Sequence, residues 1–238
     1  MRWVGQRVAL VLAAQMACVG MAQAQADGQC DGAASGAITD AVAVARIGGK
    51  GKTHFVQSPG PGRAECPGSS PKCRAPAYLL PGNVVLTAPE VRNGYVCASF
   101  INTRGVATNG WLPAAALTAV VTNAADDAAY LGTWQRVEAS IKITRAPGGL
   151  TAQGEATWGA GDKRRVATGA VNMGDFAGKL RRTGDIALVA DDDIASFEAA
   201  PKDRCVVRLR AAGPYLLVED NRACGGMNVS FSGLYARR

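Results

Sequence analysis

The stretch that decides the fold is Val137–Thr144, which reads VEASIKIT. Its valine, alanine and two isoleucines occupy every second position, and polar residues occupy the positions between them. Successive side chains of a β-strand point to opposite faces, so this period of two predicts a strand with one face in a core and one in water. Val207–Ala211, which reads VRLRA, shows the same alternation.

Outward from this stretch, the second half of the chain divides into eight apolar segments separated by turn residues, without a helical pattern. They are Val137–Thr144, Leu150–Trp158, Val166–Met173, Phe176–Leu180, Ile186–Ala190, Cys205–Ala211, Tyr215–Glu219 and Val229–Tyr235. Eight short consecutive strands predict an antiparallel meander, which most simply closes into a barrel.

The first half of the chain also predicts strands, at Tyr78–Leu80, Val84–Thr87 and Tyr95–Ile101. Asn93-Gly94 precedes the last of these and supplies the positive φ angles that a tight hairpin turn needs. Asn123–Ala129 is polar and unpatterned, which favours a linker. We therefore predict an all-β chain with a domain at residues 27–122, a linker at 123–130 and an eight-stranded antiparallel barrel at 131–238.

The first 26 residues have the pattern of a secretory signal peptide. Two arginines precede the apolar runs Val8–Ala14 and Met16–Met21. The next segment, Ala22–Ala26, reads AQAQA and offers small residues for cleavage after its second or third alanine. Glutamines at positions 15 and 23 leave fewer than the roughly 20 apolar residues of a spanning helix. We expect a periplasmic or secreted protein with no stable membrane anchor after cleavage.

Six cysteines follow this segment, and an even number in an exported chain favours structural disulfides. They are Cys30, Cys66, Cys73, Cys97, Cys205 and Cys224. The simplest pairing of the first four joins Cys66 to Cys73 and Cys30 to Cys97, but spacing does not decide between this and Cys30–Cys66 with Cys73–Cys97. A Cys205–Cys224 bond closes a loop of about 20 residues and would contribute about 3 kcal/mol.

The charge balance argues against a nucleic-acid partner, and the residue types argue against a metal site. Removal of Arg2 and Arg7 with the signal reduces the 26 basic residues to 24, against 19 acidic ones. This excess is mild and diffuse, so we predict no nucleic-acid partner. His54 is the only histidine and no CxxC pair exists, and Asp191–Asp193 lacks the glycine-punctuated loop of a calcium site. We predict no metal and no cofactor.

Three segments of the first half resemble the bacterial SH3-like domains of envelope proteins. They are Tyr78–Leu86 (YLLPGNVVL), Tyr95–Phe100 (YVCASF) and Gly110–Pro113 (GWLP). In those domains a Gly-Trp-apolar step enters the last strand. The resemblance implies an SH3-like domain behind a disulfide-braced N-terminal extension, binding cell-wall peptide or a protein. Trp111 is then either a core aromatic residue or a surface on which a ligand stacks.

Gly132-Thr133-Trp134 is similar to the Gly-x-Trp step of lipocalin-like barrels. In those barrels the tryptophan plugs one end beneath an arginine. The resemblance implies a lipocalin-like barrel in the second domain, with Arg237 or Arg238 as the arginine.

Ser232–Tyr235, which reads SGLY, resembles the Ser-Gly-x-Tyr pattern of periplasmic lysozyme inhibitors. In those proteins a loop serine and tyrosine enter the lysozyme cleft and donate hydrogen bonds to its catalytic carboxylates, which only accept when ionised. The resemblance implies Ser232, Gly233 and Tyr235 as contact residues. In this chain the motif falls within a predicted strand, where Phe231 and Tyr235 are otherwise packing residues.

These patterns predict a non-catalytic binding protein of the bacterial cell envelope, whose partner is a cell-wall hydrolase or peptidoglycan. One alternative is a carrier of a small ligand, since small inward residues leave a pocket in a barrel, and another is a structural envelope protein. An enzyme is not predicted, because His54 has no activated serine beside it. The available glutamates lie at predicted outward positions or in loops: Glu138, Glu155 and Glu198.

Overall fold

The computed structural model describes residues 28–122 and 126–238. The predicted signal peptide, residues 1–26, lies outside the described residues. Within the described ranges, strands dominate and the two α-helices are four and five residues long. No helix in these ranges is both long and apolar enough to cross a membrane. The prediction of a β-rich chain is confirmed.

The N-terminal domain is an antiparallel sheet of seven strands in the order β3-β2-β6-β5-β4-β1-β7. The strands are β1 (Ala43–Ile47), β2 (Thr53–Val56), β3 (Arg74–Leu79), β4 (Val84–Arg92), β5 (Tyr95–Ile101), β6 (Ala107–Pro113) and β7 (Leu117–Ala119). Short 3₁₀ helices at Pro71–Cys73 and Ala114–Ala116 precede β3 and β7. The SH3-like resemblance of this domain stays a prediction.

The β4–β5 hairpin turns at the predicted dipeptide. Asn93 has a φ of 50° and Gly94 a φ of 79°, the pair of positive angles that a tight hairpin turn requires. The hairpin continues into β6, so that Cys97 on β5 lies opposite Trp111 on β6. This register places the tryptophan beside the cysteines.

Two disulfides brace this side of the sheet. Cys30–Cys97 ties the N-terminal segment to β5, and Cys66–Cys73 closes the loop before β3. The third bond, Cys205–Cys224, lies in the other domain. The pairing is therefore the simplest of those that the sequence allowed. Three disulfides are typical of proteins that fold in an oxidising compartment, and the 67-residue separation of the first contributes about 4 kcal/mol on the chain-entropy model.

The C-terminal domain is a closed barrel of eight antiparallel strands, as predicted. The strands are β8 (Gly132–Arg136), β9 (Ala139–Ala146), β10 (Gly149–Trp158), β11 (Asn172–Thr183), β12 (Ile186–Val189), β13 (Val207–Ala212), β14 (Tyr215–Asp220) and β15 (Gly233–Arg237). Each strand pairs with the next along the chain, and β15 pairs with β8 to close the ring.

The number of strands is right, but β8 is not among the predicted segments, and three predicted strands have the wrong bounds. The last of these begins at Gly233 and not at Val229. The strand expected from Val137 begins at Ala139, because Val137 and Glu138 form the turn that separates β8 from β9. Glu138 has a φ of 60°, and its carboxylate accepts hydrogen bonds from the backbone N–H groups of Gly159 and Gly161 at 3.3 and 3.0 Å. These contacts stabilise a conformation that the alternating pattern does not reveal.

The strand predicted at Val166–Met173 is also wrong. Residues Lys163–Ala167 form a helix, α2, whose N-cap is Asp162. The Asp162 carboxylate accepts from the N–H groups of Arg164 and Arg165 at 2.8 and 3.4 Å, which offsets the weak helix propensity of so short a segment. Strand β11 then starts at Asn172 and includes the next predicted strand.

A short helix precedes the barrel. This helix, α1 (Asp127–Tyr130), occupies part of the expected linker, and Tyr130 is fully buried in the barrel core. The Tyr130 hydroxyl donates to the Asp185 carbonyl at 2.7 Å. The backbone carbonyl of Tyr130 accepts from the Trp134 indole N–H at 2.7 Å. The sequence did not predict this burial, because Tyr130 stands at the end of a polar segment.

The two domains share one apolar cluster, here called the interdomain core. The N-terminal domain contributes Ala33, Ile38, Val44, Leu86 and Ile101, and the barrel contributes Ala212, Tyr215, Leu217 and Leu234. All nine side chains are buried. The outer face of β14 and β15 is thus covered by the sheet domain.

Hydrogen bonds fix the relative orientation of the domains. The Tyr215 hydroxyl donates to the Val84 carbonyl, and the Arg210 guanidinium donates to the carbonyls of Ile38 and Asp40 at 3.1 and 2.7 Å. The N–H of Val137 donates to the Gly105 carbonyl at 2.9 Å, which joins the β8–β9 turn to the loop before β6. These bonds surround the interdomain core and hold it in one geometry.

We expect the two domains to unfold as one unit because they share a core. Chemical unfolding followed by intrinsic fluorescence and by hydrogen exchange in each domain should give a single transition. Leu217→Asp places a charge in the interdomain core and should separate the two transitions, whereas Leu80→Asp, at an exposed position, should leave one. Two transitions in the unmodified protein would contradict the shared core.

Candidate functional site

A cleft runs along the junction of the two domains. It consists of two adjoining cavities of about 310 and 330 Å³ that share Ala34, Ser35, Ser232 and Gly233 in their walls. Ala34 and Ser35 belong to the segment before β1, and the other two residues lie at the start of β15. The structure therefore brings two of the residues predicted from the Ser-Gly-x-Tyr pattern to a concave surface.

The Ser232 hydroxyl is engaged inside the barrel domain. It donates to Oδ1 of Asp220 at 2.5 Å, and the same oxygen accepts from the Ser232 N–H at 3.0 Å and from the Ser230 hydroxyl at 2.7 Å. Asp220 ends β14 and is almost fully buried. This carboxylate therefore fastens the segment between β14 and β15, and the serine positions the cleft wall.

Tyr235 is fully buried in the barrel core. Its hydroxyl donates to the Phe231 carbonyl at 2.8 Å and accepts from Nε of Arg136 at 3.2 Å. Burial raises the pKa of Tyr235 to about 12. In this arrangement Tyr235 offers no surface to a partner and instead supports Arg136 from within.

Arg136 links the motif to the surface of the cleft. Its guanidinium lies 5.4 Å from the centroid of the Tyr235 ring and donates to the carbonyls of Val137 and Ser230. The same residue forms part of the cleft wall. Its planar group satisfies several acceptors at once, so Arg136 holds the β8–β9 turn against the segment that leads into β15.

Gly233 is required by the backbone of the cleft wall. Its φ is 140°, which side-chain-bearing residues rarely adopt, and a Cβ there would lie 3.4 Å from the Cδ atom of Arg136. Gly105, on the opposite wall, has a φ of 79°, and a Cβ there would lie 2.7 Å from the carbonyl carbon of Arg136. Gly105 therefore allows the two domains to approach closely at this point, whereas Gly233 allows β15 to start beside Arg136 within the barrel.

Two exposed valines stand on the rim of the cleft. Val106 is 44% exposed and Val137 is 48% exposed, one on each domain, and both line the first cavity. Neither was predicted as a site residue, because an isolated valine in a strand-rich sequence indicates packing. Only the domain arrangement brings them together.

Trp111, the other predicted binding residue, is a packing residue in this fold. Its side chain is 2% exposed and lies among the four cysteines of the N-terminal domain. The indole N–H donates to the Ser58 hydroxyl at 3.2 Å. The structure therefore places it away from any surface on which a ligand would stack.

The tryptophan of the Gly-x-Trp step packs against Arg237, while the lipocalin-like resemblance itself stays a prediction. Trp134 is fully buried at one end of the barrel, and the guanidinium of Arg237 lies 4.7 Å from the centroid of its ring. Arg237 also donates to the Ala129 carbonyl at 2.7 Å. The arginine and the tryptophan together cover this end of the barrel.

Large side chains fill the barrel interior. Trp134, Ile141, Leu209, Phe231 and Tyr235 are all fully buried in one cluster. The small inward residues that suggested a pocket, such as Ala152 and Ala187, lie in the same packed cluster. The interior therefore offers no support for the small-ligand carrier, which stays a prediction.

In the Asp191–Asp193 turn, an arginine pairs with two of the three aspartates. Arg204 donates to both Asp191 and Asp193, with closest distances of 2.5 and 2.6 Å, and the hydrogen bond from Arg204 lowers the pKa of Asp193. Arg181 donates to three backbone carbonyls of the same turn. Within residues 28–122 and 126–238, no group of three or more metal-ligating side chains occurs.

Removing the Tyr235 hydroxyl should destabilise the protein and reduce its sensitivity to alkali. Tyr235→Phe leaves the Phe231 carbonyl without its donor, so the free energy of unfolding should fall by about 1–3 kcal/mol at pH 8. A tyrosine in the unfolded chain ionises near pH 10, whereas folded Tyr235 does so at about 12. Its stabilising contribution is thus complete below pH 10 and is lost as the pH rises towards 12.

The measurement is denaturant unfolding at pH 8, 10 and 11 for both proteins. The unmodified protein should lose more stability across this range than the variant does. Some loss should persist in the variant, because burial also raises the pKa of Tyr215 to about 12. An identical loss in both proteins would show that Tyr235 is not the buried phenol described here.

Comparisons of this chain with protein-family models, with curated proteins and with solved structures found no match. The functional interpretation therefore rests on the residues and their geometry.

Proposed function

We propose that this chain is an exported, non-catalytic binding protein of the bacterial cell envelope that inhibits a cell-wall hydrolase of the lysozyme class. The interdomain cleft is the surface that meets the partner. The observation that carries the proposal is the position of Ser232 and Gly233, the partly exposed residues of the Ser-Gly-x-Tyr pattern, on the wall shared by both cavities of the cleft.

The chemistry of the cleft suits a protein partner. Its rim carries exposed apolar surface at Val106 and Val137, and its walls carry hydroxyl and amide groups at Ser35 and Asn109. Apolar contacts surrounded by polar groups are typical of protein interfaces. The Ser35 hydroxyl already donates to the Gly32 carbonyl at 2.7 Å. Asn109 is exposed, and its side-chain amide donates one N–H to the Asp31 carbonyl at 2.8 Å. Its second N–H is the available donor for a carboxylate of the partner.

Rigidity supports the same proposal. The cleft walls come from two domains that share a buried core and are crossed by hydrogen bonds. Three disulfides further restrict the chain. A preformed surface loses little conformational entropy on binding, which favours tight inhibition. The SH3-like and lipocalin-like resemblances agree with a binding role in the envelope.

The test is inhibition of lysozymes by the mature, oxidised protein, with pull-down from periplasmic extract in parallel. We expect saturable inhibition that weakens roughly tenfold or more in the double variant Val106→Glu, Val137→Glu, because both changes bring charge to an apolar contact. The matched control is Val91→Glu, which alters an exposed valine on β4 outside the walls of both cavities. Tyr235→Ala is unsuitable, since it removes a core aromatic residue.

Two results would count against the proposal in different ways. If the unmodified protein neither binds nor inhibits any lysozyme, the hydrolase-inhibitor role fails. If it inhibits and the double variant inhibits equally well, the role holds and the cleft is not the contact surface.

A further inference from the structure

A second concave site lies in the N-terminal domain, beside β2. Its volume is about 400 Å³, and its walls include Lys52, His54 and Arg74. Ser69 and Ser70, from the loop closed by Cys66–Cys73, add hydroxyl groups to the same wall. The site is therefore lined by three basic side chains and two hydrogen-bond donors, and it is built on a strand and a disulfide-braced loop.

Within the part of the chain that the structure describes, the basic side chains of this site have no acidic partner at ion-pair distance. Among the described residues, every ion pair with a nitrogen–oxygen distance of 4.0 Å or less lies within the barrel domain. No carboxylate of the described residues neutralises Lys52 or Arg74, and none lines the cavity. Positive charge in a concave surface attracts anions.

His54 is held in one tautomer. Its Nδ1 atom lies 3.1 Å from the Ala75 carbonyl oxygen, which can only accept, so Nδ1 carries the proton. Its Nε2 atom lies 2.6 Å from a terminal nitrogen of Arg74, which can only donate. The Nε2 lone pair therefore accepts a hydrogen bond from the Arg74 guanidinium, a role that a carboxylate usually has beside an arginine.

Lys52 is also oriented by an aromatic ring. Its Nζ atom lies 4.2 Å from the centroid of the Tyr78 ring, within the range of a cation–π contact. The His54 ring is 5.4 Å from the same tyrosine. Tyr78 therefore keeps the ammonium group near the histidine and the arginine.

We propose that this cavity binds the oxyanion group of a small ligand, a carboxylate, sulfate or phosphate, between Lys52, His54 and Arg74. Arginine and lysine side chains are the usual donors to such groups. Tyr95 and Pro113 form part of the remaining wall and would contact the apolar body of the ligand. This site is separate from the interdomain cleft, so its test is independent of the hydrolase-inhibitor proposal.

The geometry couples anion binding to proton uptake. A protonated His54 loses the lone pair that accepts from Arg74, and two N–H groups then face each other. An oxyanion between them accepts from both. The charged and titratable groups around the imidazole are Lys52, Arg74, Tyr78 and Tyr95, and none is a carboxylate. Binding of the oxyanion and protonation of His54 therefore favour each other, and binding strengthens at lower pH.

The experiment follows His54 by nuclear magnetic resonance, because the chain has a single histidine and its ring signals are unique. Sulfate is the first probe, since its charge is constant between pH 5.5 and 8, and N-acetyl-Ala-Ala is the second, as a carboxylate on a small organic body. Sodium chloride at equal ionic strength controls for screening. Lys52→Ala and Arg74→Ala alter the site, and Lys142→Ala is the matched control on the barrel surface.

We expect saturable shifts of the His54 signals, with binding roughly tenfold tighter at pH 5.5 than at pH 8. The shifts should be lost in Lys52→Ala and Arg74→Ala and kept in Lys142→Ala. A response to both probes supports a general oxyanion site, and a response to the peptide alone supports a carboxylate ligand. No saturable shift with either probe, or shifts that persist in both site variants, would overturn the proposal.

Discussion

The contact on which the rest of the structure depends is the interdomain core. The outer face of β14 and β15 would expose Tyr215, Leu217 and Leu234 to water if the barrel stood alone, and β1 and β4 would expose Val44 and Leu86. Burying these faces against each other removes both apolar surfaces from water. The same contact sets the distance between the domains and thereby creates the cleft.

The Ser-Gly-x-Tyr segment takes its role from this arrangement. Ser232 is fastened to Asp220, Tyr235 supports Arg136, and Gly233 leaves the space that the arginine needs. The motif therefore shapes the cleft from inside, and the exposed groups that meet a partner come from neighbouring segments. A short motif can thus indicate the right region of a surface while the contact residues lie elsewhere.

The sequence predicted the features that depend on local pattern. Period-two alternation predicted the closed barrel, and Asn93-Gly94 predicted the hairpin turn. The tryptophan beneath Arg237 or Arg238 was implied by the resemblance of Gly132–Trp134 to lipocalin-like barrels, and the structure places Arg237 there. Two of its failures have different reasons. Glu138 is held in a turn by two N–H groups that are remote in the sequence. Asp162 makes a local N-cap, which starts a short helix where the apolar pattern predicted a strand. The sequence did not predict the cleft, because its walls come from two domains whose residues lie far apart in the chain.

The most direct test of this account is hydrogen exchange of the mature, oxidised protein with and without a lysozyme that it binds. Slower exchange is expected on both walls of the cleft, in residues 33–36 and 104–107 of the N-terminal domain and in residues 136–138 and 232–234 of the barrel. Protection on one domain alone, or on a surface outside the cleft, would contradict the claim that the two domains form one binding site.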